Sequence, residues 1–358
     1  MSRIFAGVWL RRRAELRHGL RIAAAGLLSF ALAQALGLAQ GYWAVFTAVL
    51  VVQGSVGGSW KAAVDRLVGT LFGAAYGAAI ATLVPHNDPI TLGIALGISL
   101  TPLAILAAIY PAYRVAPVTA VILLLGSASA AEPPYLAALL RTVEVSLGGV
   151  VGIAVSLFLL PARAHVLLGN AANRVLQQLA ELLALLVDAL LKPSDAEVIL
   201  ARNDAIRGAL TGLENISDEA ARERRYYLSD DADPEPVTRT LRRVRHDLVL
   251  IGRVAAEPLP EASRSRLAGR LTEFGMAATA FLRGLGAAFA QRKPPPDAAS
   301  LEAAFARLAA ELEILKDGER LTTLGFALEH LQHNLADLTR RAAEFARGPK
   351  AAAQIPPA

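Results

Sequence analysis

The distribution of charge along the chain constrains its fold more than any other feature. Residues 22–160 contain only eight Asp, Glu, Lys or Arg residues, whereas residues 161–358 contain 52. Long stretches with so few charges are typical of membrane-spanning helices, and an ordinary charge density is typical of proteins in water. The sequence therefore predicts a transmembrane domain over residues 1–164, a helical domain in water over residues 165–346 and a disordered tail at 347–358.

The first part contains six apolar segments, and the second part has a helical pattern throughout. The apolar segments lie at about 20–38, 42–56, 62–84, 90–110, 115–130 and 137–160. A bilayer core of about 30 Å requires about 20 helical residues, and the second and fifth segments are shorter than that. We interpret all six as transmembrane helices. In the second part, apolar residues recur every three or four positions, which predicts a bundle of about six helices.

The positive charge of the chain is concentrated at one end. Residues 1–21 contain six arginines and one glutamate, which accounts for the whole net charge of +5. A basic cluster beside the first span places the N-terminus in the cytoplasm, and six spans return the second domain to that side. Because the excess is confined to this cluster, it does not indicate a nucleic-acid partner. The preference for arginine over lysine suggests a GC-rich bacterial genome, so we expect the bacterial inner membrane.

Two stretches of the first part recur in altered form. FTAVLVVQGS at 46–55 resembles VTAVILLLGS at 118–127, and RLVGTLFGAAYG at 66–77 resembles RTVEVSLGGVVG at 141–152. Each copy holds three predicted helices, so the second copy should be inverted relative to the first. Inverted 3+3 repeats are common among secondary transporters. The alternative is chance similarity between helices that are rich in small residues.

The repeat pairs two arginines within predicted spans, Arg66 and Arg141. An arginine inside a span costs about 2.5–3.5 kcal/mol on insertion scales. We expect the two to enter from opposite sides of the membrane, each about five residues into its helix, and to line a pathway for anions. The alternative is that both snorkel to the interface. The positive-inside rule alone would account for Arg66 but explains Arg141 less well.

Two acidic residues are candidates for proton coupling, Glu144 and Asp65, and Glu144 is the deeper of the two. The alternative role for Glu144 is to compensate the charge of Arg141, three residues earlier on the same helix. Glycines spaced by four residues predict close helix packing, either within one copy or between copies. These glycines are Gly69, Gly73, Gly77, Gly148 and Gly152, with a further pair at Gly93 and Gly97.

The stretch from Tyr42 and Trp43 to Arg66 and the glycines that follow it resembles a known family. An aromatic-led short helix, a loop of small residues and Arg-x-x-Gly-Thr-x-x-Gly are similar to the fusaric acid resistance and aromatic acid exporter family, often called FUSC. The resemblance covers roughly residues 1–165 and implies export of aromatic or other organic acids across the inner membrane. Many family members have two membrane blocks. The single block with one helical domain is similar to the plant aluminium-activated malate transporters, which are dimeric anion channels.

These observations predict an all-α membrane transporter for small organic anions, working as a homodimer in the lipid bilayer. Arg66 and Arg141 would attract the carboxylate, while Tyr42, Trp43 and Phe46 would contact an aromatic or apolar part of the substrate. A passive anion channel and a non-transporting membrane anchor for a helical interaction domain are the alternatives. The sequence contains no cysteine and no P-loop or nucleophile-elbow motif. We therefore expect no enzymatic activity, cofactor or metal site.

Overall fold

The computed structural model of the chain describes most of its length. The described residues are 13–85, 88–127, 133–159, 164–226, 231–315 and 318–347. All regular elements among them are helical, which confirms the predicted all-α class. Of the predicted tail at 347–358, Arg347 is the last residue of a helix, and residues 348–358 lie outside this part of the chain, as do residues 1–12.

The chain divides into two compact units, Met1–Ala162 and Arg163–Ala358. The helices of the first unit are α1 Arg13–Ala35, α2 Tyr42–Val51, α3 Val56–Leu83, α4 Pro89–Ile109, α5 Ala116–Ser127 and α6 Pro134–Phe158, with a 3-10 turn at Pro111–Tyr113 before α5. In this unit α6 packs against α1, α2 and α3, and α3 also packs against α5.

Three of the described helices, α3, α4 and α6, are long and apolar enough to cross a membrane. Helix α1 has a comparable length, but it includes His18, Arg21 and Gln34. Helices α2 and α5 are apolar but have only 10 and 12 residues. The chain is thus a membrane protein with three clear candidate spans in its described part.

Helix α3 begins six residues earlier than the apolar pattern indicates. The side chain of Ser55 accepts a hydrogen bond from the backbone N–H of Gly58 and so caps the new helix at Val56. Lys61 lowers the hydropathy of this first stretch without interrupting the helix. The difference matters for Arg66, because it becomes the eleventh residue of α3 instead of the fifth. Arg66 therefore lies about 15 Å along the helix from its start.

Glycines bring two pairs of helices into backbone contact. A side chain at Gly73 of α3 would overlap the backbone of Ala116 in α5, and one at Gly77 would come within 2.8 Å of Ala120 Cα. On α6, a side chain at Gly148 would overlap the carbonyl oxygen of Ala44 in α2. Gly69 and Gly152 face Ala112 and Val51 in the same two interfaces. The predicted packing role of these glycines thus matches the positions in which they lie.

The pair Gly93 and Gly97 makes no close helix contact among the described residues, so packing between copies stays the prediction for it. A Cβ atom added at either position on α4 meets nothing within 4 Å. Helix α4 turns its glycines away from the other helices of this unit, and its buried residues are Ala95, Ser99 and Leu103. Spacing by four residues places glycines on one face, but it does not say which face a neighbour covers.

These contacts predict opposite effects of the same substitution on two helices. Gly73→Ala should destabilise the protein by about 2 kcal/mol, because α3 and α5 must move apart to admit a methyl group. Gly93→Ala should be neutral or slightly stabilising, since alanine is favoured over glycine in helices by about 1 kcal/mol. Melting temperatures of the two purified variants in detergent test this. Equal loss of stability in both would contradict the assigned interface.

The second unit is built from six helices around one apolar core. They are α7 Ala164–Leu191, α8 Ala196–Arg225, α9 Glu235–Val254, α10 Glu261–Gln291, α11 Ala299–Ile314 and α12 Glu319–Arg347. Helix α7 lies at the centre, with 16 buried residues along its 28-residue length, and α10 packs along it. The core continues through α9 and α12 as one cluster of buried leucine and phenylalanine side chains.

A buried histidine stands at the start of this central helix. The ring of His165 stacks on Phe345 with centroids 4.0 Å apart, and its Nδ1 lies 3.9 Å from Asp231 Oδ2. Asp231 also forms an ion pair with Arg292. Burial lowers the pKa of His165 to about 4, although the Asp231 carboxylate acts in the opposite direction. His165 is therefore neutral in the folded protein at pH 7.

Because its core is made of its own helices, we expect residues 163–358 to fold alone. The pKa of His165 rises to about 6.5 on unfolding, so the unfolded chain binds this proton first as the pH falls. The free energy of unfolding therefore keeps its full value above pH 6.5. As the pH falls towards 4, protonation of the unfolded chain at this residue lowers that free energy by up to about 3 kcal/mol. Urea unfolding followed by circular dichroism at several pH values measures this loss of stability.

A leucine variant tests the assignment to His165. His165→Leu should flatten the pH dependence of the free energy of unfolding between pH 4 and 6.5. If the free energy of unfolding of the His165→Leu variant falls with pH as much as that of the unaltered protein, other groups cause the pH dependence.

Candidate anion site

The candidate site is built around α2, against which α6 packs closely. Arg141 is the eighth residue of α6 and is only 5% exposed. Its guanidinium carbon lies 3.3 Å from the centre of the Trp43 ring, a close cation–π stack. Two of its nitrogens, Nε and Nη1, are buried and have no hydrogen-bond partner among the described residues. Arg141 thus keeps buried N–H donors that have no acceptor in the part of the chain that the structure describes.

Arg66 reaches the same helix from α3. Its Nε donates a hydrogen bond of 2.9 Å to Thr47 Oγ1, one turn along α2 from Trp43. The charges of Arg66 and Arg141 are close enough to act on each other. The two arginines therefore lie together at neighbouring levels of α2. The early start of α3 places Arg66 at the eleventh residue of its helix, so its side chain reaches the middle of α2.

The aromatic residues form a continuous row along α2. The rings of Tyr42 and Trp43 lie 5.2 Å apart and those of Trp43 and Phe46 lie 5.6 Å apart. Gln40 Oε1 accepts hydrogen bonds from Trp43 Nε1 and the Tyr42 hydroxyl. Tyr42 and Phe46 remain about half exposed in the single chain. The predicted aromatic contacts are therefore adjacent to Arg141, with Trp43 in the middle.

The two acidic candidates have different surroundings. Glu144 is 2% exposed, and its Oε1 accepts a hydrogen bond of 3.1 Å from the backbone N–H of Gln40, just before α2. Its charge also acts on Arg141. Asp65 forms an ion pair with Lys61 on the more exposed side of α3. Only Glu144 shares the environment of the buried arginine.

Two threonines at the site were not among the predicted binding residues. Thr47 is fully buried and holds Arg66. Thr70, one turn after Arg66, is also fully buried, and its hydroxyl has no hydrogen-bond partner among the described residues. Thr70 belongs to the Arg-x-x-Gly-Thr pattern of the sequence, which was a usable signal. Thr47 lies in the recurring stretch FTAVLVVQGS and aligns with Thr119 of the second copy, which was the signal for it in the sequence.

A cavity elsewhere has unsuitable chemistry for an anion. It lies between α11 and α12, with a volume of about 720 Å³, and its walls include Phe305, Phe326 and Leu312. Its charged lining residues are Glu313 and Glu329. Carboxylates at the wall repel a carboxylate ligand, so volume alone does not make this cavity the candidate site.

Comparison with known proteins finds a family match within the first unit. Residues 28–155 match the family model described as "Fusaric acid resistance protein-like". The match runs from Leu28 in α1 to Val155 in α6, and it confirms the resemblance seen in the sequence. No curated protein matches the chain.

Proposed function

Because residues 28–155 belong to the fusaric acid resistance protein-like family, a family of membrane transport proteins, we propose that this chain transports organic anions. The proposed direction is efflux across the bacterial inner membrane, and the proposed substrates are aromatic or other organic acids. Family membership supports a transport- or resistance-related membrane function. The choice of substrate rests on the site around α2.

The buried guanidinium of Arg141 is the observation that carries this proposal. A buried charge is costly unless hydrogen bonds and an opposite charge compensate it. Two N–H donors of Arg141 lack acceptors within the described residues, and Arg66 adds a second positive charge nearby. Guanidinium groups bind carboxylates through paired hydrogen bonds. A carboxylate ligand would supply both the missing charge and the missing acceptors.

The aromatic row supports a substrate with an apolar or aromatic body. Tyr42 and Phe46 offer half-exposed rings on either side of Trp43. A carboxylate held by Arg141 would place the rest of an aromatic acid beside these rings. This arrangement favours benzoate-like acids over small inorganic anions, which have no apolar part to bury.

The glycine contacts support the proposed inverted repeat. In the alignment of the two copies, Gly73 and Gly77 correspond to Gly148 and Gly152, and Ala44 corresponds to Ala116. The first copy of the glycine helix packs on Ala116, and the second copy packs on Ala44. Each glycine helix thus contacts the short helix of the other copy, as expected for two halves related by a twofold axis. The proposal includes six spans with both termini cytoplasmic, supported by the basic residues at the N-terminus.

We further propose a homodimer, because six spans with two short helices enclose little pathway by themselves. A passive organic-anion channel and a membrane anchor without transport are the alternatives. Glu144 beside Arg141 favours a coupled transporter over a channel, since a buried carboxylate can carry a proton in step with the anion.

Substitutions at Arg141 test the proposal in proteoliposomes loaded with radiolabelled benzoate. Arg141→Ala should lower the benzoate flux at least tenfold, because it removes the charge that compensates the carboxylate. Arg141→Lys should retain part of the flux, since the charge survives without the forked donor geometry. Arg66→Ala should lower the flux in the same direction.

Arg114→Ala is the matched control, because Arg114 is exposed in the turn before α5. It should transport benzoate normally at equal protein content. Normal benzoate flux in a folded Arg141→Ala variant would show that Arg141 does not bind the transported anion. Absence of flux in the unaltered protein would favour the membrane-anchor alternative.

A second prediction concerns Glu144. Glu144→Gln keeps an oxygen to accept the hydrogen bond from Gln40 but removes the ionisable group, so the melting temperature should change little. Benzoate flux driven by a pH gradient should fall to the level seen without a gradient. Asp65→Asn, which alters the exposed ion pair with Lys61, should keep the response to the gradient. If the unaltered protein ignores the gradient, the passive channel is the better description.

A further inference from the structure

A third arginine of the first unit is buried and forms no ion pair with a carboxylate among the described residues. Arg21, on α1, is 2% exposed and is among the largest fully buried side chains of the protein. Its Nη2 lies 3.3 Å from His18 Nδ1, while Nε and Nη1 are buried without a hydrogen-bond partner in the described part of the chain. The basic N-terminal cluster explains why an arginine occurs here, but a topology signal does not need to be buried.

The contacts between α1 and α2 show where Arg21 lies along the axis of α2. The two helices form an antiparallel hairpin in which Gly41 meets Ala33 and Gly26 meets Val45 and Val49. Further along, Ala25 shares an apolar cluster with Ala48, Val52 and Val155. Arg21 precedes Ala25 by one helical turn, so it lies at or beyond the level of Val52, past the C-terminal end of α2.

The three arginines are thus spread along one short helix. Arg141 lies at the level of Trp43, Arg66 at Thr47 and Arg21 near Val52. With a rise of about 1.5 Å per residue, these levels are separated by about 6 Å and about 7.5 Å. The row therefore extends over about 14 Å, roughly half of a bilayer core of about 30 Å.

The chain offers little negative charge to balance this row. Residues 1–162 contain five carboxylates, and only Glu144 is buried among those that the structure describes. Glu144 lies at the other end of α2, where it binds Gln40. Residues 1–12 contain no Asp or Glu.

We propose that Arg21, assisted by His18, is a second binding position for the carboxylate of the transported anion. It stands at the C-terminal end of α2, which is the cytoplasmic end in the proposed topology, and passes the anion to Arg66 and Arg141. The inference rests on the proposed function. It assigns the entry position to a residue outside the repeat motif and outside the FUSC-like pattern.

The absence of cysteine from the chain provides a direct test. In Arg21→Cys the introduced thiol is the single reactive sulfhydryl, and methanethiosulfonate reagents attach either an ammonium or a sulfonate group to it. We expect Arg21→Cys to lower benzoate flux at subsaturating concentration about tenfold. The ammonium reagent should raise the lowered benzoate flux several-fold, because it returns a positive charge to this position. The sulfonate reagent should abolish the remaining flux. Benzoate should slow both reactions.

Arg17→Cys is the matched control, because Arg17 lies one turn earlier on α1 and is exposed. It should react with both reagents without a change in flux and without protection by benzoate. A purely structural role for Arg21 predicts a different pattern. The thiol would react only after denaturation in detergent, or both reagents would have the same effect on flux, and either result would overturn the inference.

The outcomes separate this inference from the proposed function. If the unaltered protein moves benzoate and Arg141→Ala does not, but Arg21→Cys resists modification, only the entry position is wrong. If the unaltered protein moves no benzoate although benzoate protects Arg21→Cys, the anion position stands and the transport proposal fails. If the unaltered protein moves no benzoate and benzoate does not protect Arg21→Cys from the reagents, both the transport proposal and the anion position at Arg21 fail.

Discussion

The close approach of α6 to α2 is the contact on which the candidate site depends. It requires a glycine at position 148, because any side chain there would meet the carbonyl oxygen of Ala44. Arg141 and Glu144 precede Gly148 by two turns and one turn, so the same approach carries them to the N-terminal end of α2. A wider separation of these helices would remove Arg141 from the ring of Trp43. Backbone packing therefore determines where the charged groups meet.

Positive potential accumulates at that end of α2 from three sources. The N-terminus of a helix carries a partial positive charge of about half a unit, and Arg141 and Arg66 add full charges nearby. Glu144 accepts a hydrogen bond at this terminus and offsets part of the charge. The remaining excess lies in a region with little water, where the attraction for an anion is stronger than at a surface. The stack on Trp43 orients the guanidinium without neutralising it.

The all-helical class could be predicted from the sequence, because helical periodicity encodes it. The spacing of the glycines on α3 and α6 also indicated close helix contacts, and the proposed repeat drew attention to Arg66 and Arg141. The start of α3 could not be predicted, because hydropathy falls at Lys61 while the helix already begins at the Ser55 cap. Because α3 begins at Val56, Arg66 lies deep enough in the helix to donate its hydrogen bond to Thr47. The role proposed for Arg21 was also beyond the sequence, where it looks like one more basic residue before the first span. Its burial depends on the register of α1 against α2, which local sequence does not specify.

The proposed repeat has one chemically important difference between its halves. In the alignment of the two copies, Gly69 of α3 corresponds to Glu144 of α6, and Gln40 corresponds to Ala112. A Cβ atom at Gly69 would come within 3.1 Å of the carbonyl oxygen of Ala112, so that interface has little room for a side chain. In the other half Glu144 fills the equivalent position and binds the N–H of Gln40. Two symmetric halves would bind an anion equally, whereas a single carboxylate in one half provides one protonation site, which a coupled transporter requires and a passive pore does not.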